Sequence, residues 1–92
     1  MEKKEIVSVC KALSDENRLR MIELLSSEEK CGCKLLEAFD ITQPTLSHHM
    51  RVLTECGLVH DRKEGKWHYY SLNKERFKEF IQLIRLLGEV DW

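Results

Sequence analysis

The sequence predicts a mainly α-helical single domain over residues 1–92, carrying one small β-hairpin. Three observations carry that prediction. The composition is 42% hydrophobic and 34% charged with four Gly and one Pro, the balance of a folded, helix-rich chain and not of a disordered, collagenous or Gly/Pro-rich β protein. Apolar residues recur at helical spacing in successive segments up to Gly57. Beyond Gly57 the pattern changes to Val-, Trp- and Tyr-rich strands, then returns to a helical stripe after Asn73.

From Glu2 to Leu13, the residues Ile6, Val9, Cys10 and Leu13 form the stripe of a short first helix. Ser14 is a good N-cap and Asp15-Glu16 suit the positive end of a helix dipole, so a second helix runs to about Ser26 on Leu19, Met21, Ile22, Leu24 and Leu25. Ser27 to Lys30 is a polar connection. Lys34 to Phe39 supplies Leu35, Leu36, Ala38 and Phe39 for a short third helix ending near Asp40. Thr42-Gln43-Pro44 reads as N-cap, N1 and N2 of a fourth, where a proline has no N–H to lose, and Leu46, Met50 and Leu53 continue it until Gly57. Leu58–Glu64 and Lys66–Leu72 form a two-stranded hairpin turning at Glu64-Gly65. Asn73 caps a last helix whose Phe77, Phe80, Ile81, Ile84 stripe is widened by Leu83, Leu87 and Val90, more than one small core needs. Helix, helix, helix, turn, helix, hairpin, helix is the order of a winged helix-turn-helix (ααααββα), which sets its second motif helix in the DNA major groove.

Several function classes are excluded or left without support. No apolar run approaches the roughly 20 residues that cross a bilayer, so no membrane partner is expected. Met1-Glu2-Lys3-Lys4-Glu5 leads into no continuous apolar stretch of a secretory signal, and a cytoplasmic location is expected. Fifteen basic against sixteen acidic residues give a net charge of −1, so nucleic-acid binding must rest on local pattern and not on bulk charge. The four cysteines read as thiols, metal ligands or buried hydrophobes.

On the fourth helix Leu46, Met50 and Leu53 point inward while Ser47, His48, Arg51 and Glu55 project outward, at about 100° per residue. Gln43, Thr45, Ser47 and His48 occupy its first two turns, where short polar side chains reach base edges and phosphates. The same pattern describes an ordinary solvated face. Arg62, Lys63 and Lys66 cluster at the hairpin tip, where a wing reaches flanking phosphates, although Asp61 and Glu64 partly cancel them and a charged tip is more often a solubilising turn. Trp67, Tyr69 and Tyr70 are expected to pack against the core.

Cys31-Gly32-Cys33 stands at or just before the third helix. On a continuous helix i and i+2 lie about 200° apart, so the pair chelates one ion only if the helix begins there, which Gly32 permits. A helix N-terminus favours thiolate, and two thiolates select arsenic(III), antimony(III), cadmium, lead or zinc over hard cations. Two half-buried free cysteines, or a strained disulfide acting as a redox switch, fit the same residues. Cys10, on the inner stripe of the first helix, reads as a small core residue or a third ligand brought across by folding or dimerisation, the pattern favouring core. Cys56 beside Gly57 reads as structural. The histidines lack metal-ligand spacing with an acidic partner on the last helix. A thiol-disulfide oxidoreductase is disfavoured because no βαβ thioredoxin pattern surrounds the pair. A winged-helix dimer serving only protein interaction stays open.

Ala12-Leu13-Ser14-Asp15-Glu16-Asn17-Arg18-Leu19, Cys31-Gly32-Cys33, Thr42 through Met50 and Asp61 through Tyr70, in this order, resemble the ArsR/SmtB family of metal-sensing repressors over roughly residues 5 to 72. The resemblance implies a homodimer formed mainly by the first and last helices and a repressor, not an enzyme. It binds a palindromic double-stranded operator without metal and leaves it when metal binds. It implies DNA contacts by Gln43, Thr45, Ser47 and His48 with the Arg62–Lys66 tip as wing, and Arg51 joins them on the outward face. Cys-x-Cys at the third helix looks like the branch sensing arsenic/antimony or cadmium/lead. One arsenic pattern carries a third cysteine where this chain has Leu36, and the cadmium pattern draws on an N-terminal extension where this chain has Cys10. Three thiolates suit pyramidal arsenic(III), so Cys10 with Cys31 and Cys33 is the expected set, with an exogenous thiol as the alternative. Asp91 lies near the last helix's end, and without His partners the family's zinc site there is not expected.

Overall fold

The computed structural model describes residues 1–89. Five helices, α1 (Lys3–Ala12), α2 (Glu16–Leu25), α3 (Gly32–Glu37), α4 (Gln43–Glu55) and α5 (Lys74–Gly88), combine with strands β1 (Lys30–Cys31), β2 (Val59–Glu64) and β3 (Trp67–Leu72). Helix order and hairpin position are those predicted from the sequence. Val90 and Asp91, placed by sequence on or near the last helix, lie outside the described residues. No helix among the described residues is long and apolar enough to cross a membrane.

Local chemistry explains most boundaries. Thr42 caps α4, its hydroxyl oxygen accepting the Thr45 N–H at 3.4 Å, and Pro44 sits in the first turn. Gly57 ends that helix at φ +86, and the Leu58 N–H donates to the Leu53 carbonyl at 3.1 Å while the Gly57 N–H donates to Thr54, the left-handed C-terminal motif that glycine alone enters without strain. Asn73 then couples two elements: its Oδ1 accepts the Arg76 N–H at 3.2 Å to cap α5, and its Nδ2 donates to the Gly57 carbonyl at 2.9 Å. Gly65, φ +59, turns the hairpin between the paired Glu64 and Trp67.

The cap of α2 and the number of strands depart from the sequence expectation. The cap of α2 is Asp15, whose carboxylate accepts the Arg18 N–H at 3.1 Å, whereas the Ser14 hydroxyl turns back and donates to the Lys11 carbonyl at 2.6 Å. The adjacent Ser and Asp are equally able caps, and the end of α1 claims the first. The sheet has three strands, not two: β1 pairs antiparallel with β3 in the order β1-β3-β2, placing Lys30 opposite Tyr70 and Cys31 opposite Tyr69.

Val9, Ala12, Met21, Leu25, Leu35, Met50, Leu53 and Leu58 are buried where α1, α2, α3 and α4 meet the sheet, each large side chain contributing about 1.5–3 kcal/mol of transfer free energy. Outside that core the α5 residues Ile81, Ile84, Leu86 and Leu87, and Val7 of α1, are exposed. Among the described residues of the α5 stripe, only Phe80 is buried. Cys10, placed in the core by its stripe, is exposed. The inward positions of α1 are Val9 and Ala12, and Cys10, about 100° round from Val9, falls on the flank.

Candidate functional site

Cys31 closes β1 and serves as N-cap of α3, with extended backbone (φ −64, ψ 144) and its Sγ accepting the Cys33 N–H at 3.3 Å. The helix begins at Gly32, two residues earlier than the sequence placed it, because β1 and the cap fix its first turn. That start removes the angular obstacle to chelation. The Cys31 and Cys33 Cα atoms are 5.3 Å apart and the two sulfurs are joined as a disulfide, so both point to one place. Cys33 is exposed and Cys31 half-buried. Among the described residues no group of three His, Cys, Asp or Glu side chains gathers to hold a metal ion; Cys10 joins no such cluster within one chain. Cys56 is buried, and desolvation pushes its thiol above the usual range, keeping it protonated and inert.

The outward face of α4 carries Gln43, Thr45, Ser47, His48 and Arg51, all exposed, against Leu46, Met50 and Leu53, all buried. At the hairpin the three cations separate. The Arg62 guanidinium bonds Glu29 at 2.7 Å and Glu64 at 2.6 Å and lies 4.6 Å over the Tyr69 ring. Its hydrogen bonds to Glu29 raise its pKa and hold the Glu29 carboxyl below the usual range, so this charge is already matched. Lys63 and Lys66 have no acidic side chain within 4 Å among the described residues, and Lys66 Nζ rests 5.4 Å above the Trp67 ring. Trp67, expected to pack inward, is half exposed; its neighbour Tyr70 takes the buried position.

Sequence reasoning missed His49. It is the buried polar side chain of α4, and Arg18 Nη1 lies 3.0 Å from its Nδ1 while Asp15 Oδ2 stands 4.0 Å away. Arginine has no acceptor, so Nδ1 must accept and the ring proton sits on Nε2. Arg18 also donates from Nε to the Ala12 carbonyl at 2.6 Å and from Nη2 to Lys11 at 3.3 Å. One guanidinium thus ties the end of α1 and the start of α2 to the outward-facing helix. The available signal was the Leu46, His49, Met50, Leu53 spacing, which puts His49 on the inward stripe.

A groove of about 340 Å³ joins these parts. Cys31 and Cys33, Gln43 and Ser47 of α4, and Lys66 and Trp67 of the hairpin all line it. The thiol pair, the polar start of α4 and the hairpin therefore border one concavity.

Residues 15–61 match the family described as bacterial regulatory protein, arsR family. The chain is 45% identical over 88 residues to an arsenical resistance operon repressor of Staphylococcus aureus, covering 96% of this chain and 85% of that protein. It is 49% identical over 81 residues to the protein of the same description in Staphylococcus xylosus, covering 88% and 77%. A homodimeric winged helix-turn-helix DNA-binding domain from Mycobacterium bovis, described as a possible ArsR-family transcriptional regulator, superposes with a TM-score of 0.75 at 26% identity over 94% of this chain and 81% of that one. With the family's pattern on its helix-turn-helix and relatives matching along nearly its whole length, the chain belongs to the arsR family of bacterial regulatory proteins.

Proposed function

We propose that the chain is a metalloid-responsive transcriptional repressor that binds operator DNA in its free form and releases it when arsenic(III) or antimony(III) binds its thiolates. The observation that carries this reading is the convergence of the Cys31 and Cys33 sulfurs beside the polar start of α4. Two soft donors aimed at one point suit a thiophilic ion and not a hard cation. The arsenical repressors to which the chain is similar support the same inducer class. Gln43, Thr45, Ser47, His48 and Arg51 read the major groove and flanking phosphates, and Lys63 and Lys66 extend the contact from the wing. Arg62 serves chiefly to hold the wing on Glu29. Two copies pair through α1 and α5, covering Val7, Ile81, Ile84, Leu86 and Leu87, and a two-fold dimer calls for a palindromic operator read in successive major grooves. The third thiolate comes from Cys10 of the pair or from an exogenous thiol.

Fluorescence anisotropy of the reduced protein on DNA from its own upstream region, titrated with arsenite and then with cadmium, lead and zinc, tests this reading. Release by arsenite is expected, and Cys31→Ser should keep DNA binding while losing release. Release of the Cys31→Ser protein at wild-type arsenite would overturn the site. Release by cadmium, lead or zinc alone would reassign the inducer. Indifference to all these ions with loss of binding on mild oxidation would make the joined Cys31–Cys33 pair a redox switch.

A further inference from the structure

The groove that holds the two thiols is bounded by residues assigned above to DNA. Cys31 and Cys33 stand at one side, Gln43 and Ser47 at the second, Lys66 and Trp67 at the third. The α4 side chains and the hairpin tip are the two supports on which a nucleic-acid backbone would rest, so a strand seated on both spans the mouth of the groove. Its contents are then confined between protein and phosphate. The volume, about 340 Å³, is on the scale of a small-molecule site, and Lys66 and Trp67 line it on the hairpin side. Cys33 is exposed and is one of the lining residues.

We propose that a ligand on the thiol pair and the operator backbone are competing occupants of this one groove, so that a thiol-bound group releases DNA by filling it. The inference rests on the reading of α4 and the hairpin as the DNA surface. It differs from release through a changed dimer geometry in a definite way: an adduct on one sulfur suffices if it is bulky, and bridging of both sulfurs is not required.

Two measurements test it. Reduced protein is treated with iodoacetamide, whose carbon is attacked by a thiolate with departure of iodide, and the rate at each cysteine is read by mass spectrometry with and without saturating operator. N-acetylcysteine in the same mixture, a small free thiol that operator binding leaves untouched, is the control. With nine-tenths of the protein bound, Cys31 and Cys33 should slow by about tenfold while the free thiol keeps its rate, by simple mass action. Unchanged rates at Cys31 and Cys33, with anisotropy showing DNA bound, would overturn the proposal. Failure to bind operator at all removes the underlying reading and the competition with it. In the second measurement Cys33 of a Cys10→Ser/Cys31→Ser protein is treated with methyl methanethiosulfonate, whose thio sulfur the thiolate attacks with departure of methanesulfinate to leave a methyl disulfide, or with N-phenylmaleimide, to whose double bond the thiolate adds before protonation, each compared with the same unmodified protein. The bulky adduct should weaken operator binding by about tenfold or more, and the methylthio group by less than about threefold. Equal affinity of the bulky adduct and the unmodified protein would refute occlusion and leave chelation of both sulfurs as the trigger.

Discussion

Acidification should destabilise this protein through His49 before its carboxylates titrate. Burial holds the His49 pKa below the ordinary histidine value of 6.5, Asp15 opposes that shift in part, and the neighbouring Arg18 and His48 reinforce it. The native state therefore prefers the neutral ring, whose Nδ1 accepts from Arg18 at 3.0 Å, whereas the unfolded chain takes up a proton near 6.5. Stability is fully present above that value and is lost as pH falls towards the depressed native pKa, because the unfolded state binds more protons across that interval. The loss is at most about 1.4 kcal/mol per pH unit, the free energy of one differential proton. Chemical denaturation of wild type and His49→Asn at a fixed protein concentration, between about pH 7.5 and 5.5, isolates the contribution. The Asn Oδ1 stands in for Nδ1 as acceptor but cannot titrate, so the variant should lack up to about 1.4 kcal/mol of the wild-type decline. Parallel curves for the two proteins would refute the reasoning. His49→Ala, which strips the Arg18 guanidinium of its acceptor, should cost about 1.5–3 kcal/mol at neutral pH.

Other positions give sharper single outcomes. Gly57→Ala forces a side chain onto φ +86 and brings its Cβ to 3.1 Å from Arg76 Nε, so a loss of about 1–2 kcal/mol is expected, read as a thermal midpoint lowered by about 4–8 °C per kcal/mol. Asn73→Ala removes both the α5 cap and the bond to the Gly57 carbonyl and should cost about 1–2 kcal/mol in the same assay. Lys63→Ala/Lys66→Ala should flatten the salt dependence of operator binding by about one unit of log–log slope per lost phosphate contact, while Arg62→Ala, whose charge is matched by Glu29 and Glu64, should change the slope little.

The order of helices was legible because α2, α4 and α5 are long amphipathic segments punctuated by residues with narrow conformational roles: Thr42 and Pro44 at a start, Gly57 at a stop, Asn73 at a restart. These signals are local, and the chain honours them. What escaped was set by partners distant in sequence. β1 has two residues, too few for any period, and exists because Tyr69 and Tyr70 offer an open edge. His48 and His49 are adjacent in sequence, yet one side chain is exposed and the other buried on Arg18, thirty-one positions earlier. Cys10 was drawn into the core by a stripe that α1 realises through Ala12 instead. At the thiol site the sequence stated the condition, a helix beginning at the pair, and only the cap by Cys31 met it. The charge on Arg62 looked available because Glu29 lies on another segment altogether.

The shortest strand of the fold has the widest reach. An isolated two-stranded hairpin in water is marginal, and a third strand is what commonly gives such a unit its own order. Here that strand is Lys30–Cys31, and the adjoining Glu29 clasps Arg62 across the same edge. The backbone amides of the hairpin therefore share an opening equilibrium with the segment that carries a reactive sulfur, and the two should exchange hydrogen as one cooperative unit. Chemistry at Cys31 is in this way expected to change how rigid the hairpin is, through a two-residue strand and the Glu29 clasp beside it.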